Sequence, residues 1–247
     1  MGIDQMRFDA AKEKIIGKSR ERIGIGTLSE KTVHAVLKHY YAPDEDMHEI
    51  PIESYVADIY TGTEIIEIQT RAMNRMRKKL EAFLPLYPVT IVYPIPRQKW
   101  LFWIDEETGE VSQKRKSPKK GNVYQAFIEL YKIRPFLSHP NLRLRLVLID
   151  MEEYRLLNGW SRDKKKGSER YDRIPIAFEE EICMNDIRDY MQLIPYELPE
   201  QFTVKEFAKC AKIPARLAST VLLIFNDLKL VTRVGKIGNS YIYEVNE

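Results

Sequence analysis

With 247 residues, 44% of them hydrophobic and 30% charged, the chain is long enough for one large domain or for a medium and a small one, and too apolar for wholesale disorder. The net charge of +3 says little about partners, but the cations are clustered, and that distribution is more informative than the sum. Cys183 and Cys210 are too few for a disulfide framework or a zinc ribbon and fit a reducing cytoplasm, while no apolar run reaches the roughly 18 to 20 residues of a membrane helix and no signal-peptide core opens the chain.

In chain order, the spacing predicts a short amphipathic helix over Asp4 to Ile16 and a second helix from the Ser29 N-cap to about Tyr41, stopped before Pro43. The second carries an apolar stripe of Val33, Val36, Leu37 and Tyr40. Glu30 lies one turn before Val33, so its carboxylate either caps the helix or points towards a sheet. A short extended run, Glu49 to Glu53, precedes Tyr55 to Thr70, which reads as two strands joined at Thr61-Gly62-Thr63. Strand alternation puts Val56 and Asp58 on one face of the first, and Ile65, Glu67 and Gln69 on one face of the second. A carboxylate and an amide in line with Ile65 need a reason to be there, and paired carboxylates on adjacent strands suit a divalent cation. Glu64 falls on the opposite face and reads as solvated, and His48 as a surface or satisfied polar residue.

Arg71 to Leu84 is strongly amphipathic, with Met73, Met76, Leu80, Phe83 and Leu84 as core and Arg75, Arg77, Lys78 and Lys79 as a solvated face. Pro85 and Pro88 end this helix, and Val89 to Ile95 is a buried strand.

The order helix, three strands, helix, strand, together with Asp58 and the Glu67-x-Gln69 pair, resembles the PD-(D/E)XK nuclease superfamily over roughly Ser29 to Ile95. That resemblance implies an α/β fold with a mixed sheet flanked by helices and Mg²⁺ or Mn²⁺ as cofactor. Asp58 and Glu67 would be its metal ligands, Glu30 the acidic residue of its first helix, and Gln69 would stand where the family carries lysine. A neutral amide is neither a cation nor an effective base, so Gln69 is left to position a water whose pKa the metal lowers. The alternative is a pair of ordinary structural carboxylates, or a decayed site.

Beyond Ile95, Trp100 to Ile104 and Val111 to Lys116 read as a hairpin whose second arm runs into a basic tract with Lys114, Arg115, Lys116, Lys119 and Lys120. Asn122 caps a helix to about Leu137 with Tyr124, Phe127, Ile128 and Tyr131 inside. Leu142 to Asp150 is a strand with Arg143 and Arg145 on one face, and Glu153 to Leu157 a hairpin arm beside it. The loop from Ser161 to Arg170 is again basic, with Lys164, Lys165 and Lys166. Both tracts either grip a nucleic-acid backbone or solubilise loops. Trp100 and Trp103 read as core.

From about Met184 the pattern changes, which divides the chain into residues 1–183 and a small module, 184–247. Asp186 to Ile194 reads as a first helix, Thr203-Val-Lys-Glu206 as a capping box opening a second to about Ala211, and Ala215 to Leu228 as a third. Two strands then flank Gly235 to Asn239. Three helices and a basic hairpin resemble a winged helix-turn-helix domain, which implies DNA contact through Arg216, Ser219 and Thr220 on the last helix and Lys236 at the wing. Winged helices also dock proteins. A nuclease-like core followed by a winged helix is also seen in the endonuclease subunit of some heteromeric transposases. The combined expectation is a DNA endonuclease, acting as a homodimer or with a partner protein, with a non-catalytic DNA-binding or assembly protein as the alternative.

Overall fold

The structure, a computed structural model, describes residues 3–21, 32–105, 107–157 and 169–246. Ser29, Glu30, Trp160, Lys164, Lys165 and Lys166 lie outside the described residues. The chain is mixed α/β: a large sheet in the order β1-β2-β3-β4-β6-β7, with β5 on β4, is flanked by helices, and a second sheet has the order β8-β10-β9. No helix among the described residues is long and apolar enough to cross a membrane.

Helix α1 (Gln5–Glu21) runs past the predicted Ile16, and α2 (Thr32–Tyr41) covers one face of the sheet with the predicted stripe of Val33, Val36, Leu37 and Tyr40, all buried. Strands β1 (His48–Ile52), β2 (Tyr55–Tyr60) and β3 (Ile65–Ile68) form an antiparallel meander, turned at Gly62, whose φ of 91° suits glycine. The 71–84 segment folds as a 3-10 turn, Met73–Met76, followed by α3 (Arg77–Phe83); all five predicted core side chains are buried. It crosses to β4 (Val89–Ile104), which lies parallel to β3.

Strand β4 is one 16-residue strand where the sequence suggests two. Its prolines are tolerated because of which edge they face. Val92 O accepts from Gln69 N on the β3 side at 2.9 Å, and residues two apart in a strand point the same way, so Pro94 and Pro96 turn their missing N–H towards the edge beyond the end of β3. The register slips between Pro96 and Lys99, and buried Asp150 of β6 (Leu142–Leu156) holds the bulge, accepting from Gln98 N at 3.1 Å and from Arg97 at 2.8 and 2.7 Å. Gly121 passes so close that an added Cβ would lie 2.1 Å from Pro96 O.

Strand β6 is likewise continuous through the region predicted as a separate hairpin arm, and its antiparallel partner β7 (Glu169–Met184) has no counterpart in the predicted elements. The second arm of the predicted 100–116 hairpin reduces to an Ile104–Val111 bridge and β5 (Arg115–Lys116). Trp100 and Trp103 are half-buried rather than core. Asn122 does cap, accepting from Tyr124 N at 2.9 Å, but the predicted helix is broken: 3-10 turns flank the single turn α4 (Phe127–Leu130), Ile133 is non-helical and Pro135 follows. Ala126, Phe127, Leu130 and Ile133 face inward, while Ile128 and Tyr131 are 55% and 46% exposed, contrary to expectation.

Residues 184–247 give a 3-10 turn (Arg188–Leu193), β8 (Gln201–Thr203), α5 (Val204–Cys210), α6 (Ala215–Asp227), β9 (Val231–Ile237) and β10 (Ser240–Val245). The predicted capping box is present, with Thr203 N donating to Glu206 at 2.7 Å. This unit shares a core with the large sheet: Phe225 meets Phe127 edge-on at 5.4 Å, Phe207 meets Tyr124 at 5.9 Å, and Arg134 pairs with Asp227 at 3.0 Å.

Candidate active site

Strands β2 and β3 pair only at Ile59–Ile66 and Tyr60–Ile65; beyond that point they part, and Asp58 Oδ2 accepts from Ile68 N at 2.8 Å in place of a ladder bond. The fork opens a cleft of about 360 Å³ lined by Asp58, Glu67, Ile68 and Gln69, by His34 of α2, and by Thr70, Arg71, Ala72, Arg75, Met76 and Lys79 on the way into and along α3. Ala72, on its wall, holds a left-handed φ of 58°, a conformation that costs a non-glycine residue about 1 kcal/mol.

Glu67 is 2% exposed, and Lys79 Nζ donates to both its oxygens at 2.9 and 2.8 Å. Burial, and then the charge of Asp58, push the Glu67 carboxyl up to about 7, against the pull of Lys79. Asp58 is also desolvated, which raises its pKa. The hydrogen bond and charge of His34, whose Nε2 lies 3.2 Å from Oδ2, the Ile68 N–H and the Lys79 charge outweigh this and hold the carboxyl below its usual value. The two carboxyls are thus driven apart: Asp58 stays ionised through neutral pH while Glu67 exchanges its proton there.

The structure brings Asp58, Glu67 and Gln69 to one cleft, as the strand reading required. The Gln69 amide nitrogen donates to the Arg71 carbonyl, so its donor end braces the rim. Lys79, read from the sequence as part of a solvated face, turns inward; its signal was its position three residues after Met76 and four before Phe83, on the buried stripe. His34 was missed as well, because it sits beside the stripe of α2 and not on it. Glu64 is only partly solvated: it accepts from Thr90 Oγ1 and pairs with Arg143 at 3.4 Å. His48 is satisfied as read, on Ala42 O at 2.8 Å.

No group of three or more His, Cys, Asp and Glu fit to hold a metal occurs among the described residues. The donors that do occur are two carboxylates open to one cleft, which is what Mg²⁺ asks of a protein when water fills its remaining positions, provided Lys79 releases one oxygen of Glu67.

In the basic tract, Lys114 is already engaged, 2.9 Å from Glu152 and 5.1 Å from the Trp100 ring centroid, while Arg115, Lys116, Lys119 and Lys120 are exposed. On α6, Arg216 and Ser219 are exposed and Thr220 is half-buried; the Ser219 and Thr220 hydroxyls bond back to Ala215 and Arg216 carbonyls at 3.0 and 3.3 Å. Lys236 and Arg233 lie 4.5 and 4.3 Å from the Tyr241 ring centroid, stiffening the hairpin.

A Treponema pallidum (strain Nichols) protein named "Uncharacterized protein" is 28% identical over 193 residues, which cover 75% of this chain and 74% of that protein. No solved structure matches the chain. The model of the family described as "Domain of unknown function (DUF8091)" matches residues 31–185, a span that holds β1 to β7 and the whole cleft. That span is more than half of the sequence, and the chain belongs to this family.

Proposed function

We propose that the chain is a Mg²⁺- or Mn²⁺-dependent DNA endonuclease of the PD-(D/E)XK kind, with residues 184–247 as a winged helix that positions the DNA. The observation that carries this reading is the cleft at the β2–β3 fork, where Asp58 and Glu67 face a common space and Lys79 reaches Glu67. Support for the fold comes from the element order: α2, an antiparallel β1-β2-β3, α3, and β4 parallel to β3. For the C-terminal unit it comes from strand, two helices and a terminal hairpin, with the last strand central in the β8-β10-β9 sheet.

In this reading Asp58 and Glu67 hold the cation, which when bound supplies an acidified water and neutralises charge on the scissile phosphate. Asp58 is kept ionised and aimed by His34 and the Ile68 N–H. Lys79 takes the place that the sequence offers to Gln69. Its ammonium, next to Glu67, is the group that can orient the attacking water or meet the charge developing on the phosphate, and Gln69 fixes the loop that carries Arg71. Arg71 and Arg75, exposed at the mouth, face an incoming phosphate.

A second reading, a non-catalytic DNA-binding or assembly protein, is favoured by one feature: Lys79 occupies both oxygens of Glu67, so the carboxylate is neutralised without any metal. Incubating plasmid, linear and branched DNA with the protein and Mg²⁺ or Mn²⁺ separates the two. The nuclease reading predicts cutting that vanishes in Asp58→Ala and Glu67→Ala; DNA binding with no cutting by the parent supports the second.

A further inference from the structure

Beside the cleft, across Thr70 and Arg71, lies a second pocket lined by Val33 of α2, Pro94 of β4, Met151 of β6 and Arg170 to Arg173 of β7. Arg173 sits opposite Glu153 in the β6–β7 ladder and Arg170 opposite Arg155, and opposed residues share a face. Cations therefore crowd around one carboxylate. Glu153, 0% exposed, accepts from Lys99 at 3.1 Å, from Arg155 Nε at 2.8 Å and from Arg173 Nε at 2.8 Å.

That carboxylate is fully used, and the positive charge exceeds it. Among the described residues, the Arg71 and Arg170 side chains make no hydrogen bond or ion pair, and the one acid lining the pocket, Asp172, which accepts from Thr32, is outnumbered by Arg71, Arg170 and Arg173. A directly opposed Arg155–Arg170 pair is destabilising in a sheet unless something anionic lies between or above the two. Burial first, and then the charges of Arg173, Arg71 and Arg155, depress the Arg170 pKa against the pull of Glu153. Glu153 is sealed beneath, whereas Arg155 and Arg173 are 33% and 26% exposed at the side chain, so the open side of the cluster is cationic.

We propose that Arg71, Arg170 and Arg173 form a seat for a backbone phosphate of the nucleic-acid strand, next along the strand from the phosphate held over Asp58 and Glu67. The seat rests on the nuclease reading for which phosphate is its neighbour, but not for its anion chemistry. Guanidinium groups present paired N–H donors that match two phosphate oxygens, and Arg71, lining both pockets, links the two positions. Set at the cleft's edge, the seat fixes the register of the strand, so that one phosphodiester at a time is presented to Lys79 and Glu67.

The test is DNA binding by the full chain in EDTA, where cleavage plays no part, comparing the parent with Arg71→Gln/Arg170→Gln and with Arg71→Lys/Arg170→Lys. The Gln pair removes an exposed Arg71 and a half-buried Arg170, neither of which holds an ion pair among the described residues, and should melt as the parent does, which thermal melting checks. It should weaken binding by about tenfold or more and lower the salt-dependence slope by about 2, with the Lys pair in between. Removing the 5′-phosphate of the duplex should change nothing, because the seat takes an internal phosphate. Unchanged affinity and slope in the Gln pair overturn the proposal. So does a response confined to inorganic phosphate or to 5′-phosphorylated ends, which would assign the site to a free or terminal phosphate. Loss of cutting in Asp58→Ala with EDTA binding intact bears on the nuclease reading alone.

Discussion

Lys79 and Glu67 come from different elements, helix α3 and strand β3, yet Nζ lies 2.9 and 2.8 Å from the two carboxylate oxygens, so a single ammonium spans a buried acid. Their partnership makes the cleft both titratable and poised to exchange partners, since whatever cation enters must share Glu67 with Lys79. Lys79→Met leaves Glu67 buried beside Asp58 without its counter-charge and moves its carboxyl further above about 7. Cutting should fall by about 100-fold or more while the fold persists, because Glu67 can remain protonated. Plasmid cleavage and an NMR titration of the Glu67 carboxyl check the two halves.

Glu67 also makes stability depend on pH. Its folded pKa, about 7, lies above the ordinary 4.5, so the folded chain binds the proton more tightly than the unfolded chain does. The contribution is fully present below about 4.5 and is lost as pH rises through about 7. Urea unfolding across that window should show stability falling with pH, and Glu67→Gln should flatten the fall.

Glu153 has the opposite sign. Burial raises its pKa, but Arg173, Lys99 and Arg155 overcome that and hold it at about 2, so its contribution is present above the ordinary carboxylate range and is lost as pH falls through about 2. Glu153→Leu leaves three cations facing one another and should cost about 3–5 kcal/mol by urea unfolding at neutral pH, a loss that lower pH does not enlarge.

The C-terminal unit is continuous with the main core through Phe127–Phe225 and Tyr124–Phe207. Phe225→Ala should cost about 3–5 kcal/mol, and calorimetry should show a single unfolding transition for the whole chain. Two separate transitions would mean that the shared aromatic contacts do not couple the units.

The route from Thr32 to Ile95 was legible because each element there keeps its own period: the α2 stripe, the short strands around Gly62 and the Met73-to-Leu84 stripe all occupy the predicted faces. Asp58 and Glu67 were legible for the same reason, as polar residues on apolar strands. Lys79 was not, since a lysine among Arg75, Arg77 and Lys78 reads as solvent-facing until the cleft beneath it is known. Strand β7 was hidden by its register shifts against β6, at Leu148/Ile149, Asp150/Met151 and Tyr154/Arg155, each of which resets the alternation by which a strand is recognised. The Arg170–Arg173 cluster went unseen with it, being legible only once the ladder places those side chains over Glu153.

The most direct test of the central claim is titration calorimetry of Mg²⁺ into the full chain with DNA present, comparing the parent with Asp58→Ala and Glu67→Ala on either side of about pH 7. The parent should show one saturable site that strengthens as pH rises through the Glu67 pKa of about 7, and neither variant should show a site. A parent that binds no Mg²⁺ at any pH, or variants that bind it as the parent does, would rule out a metal site at Asp58 and Glu67.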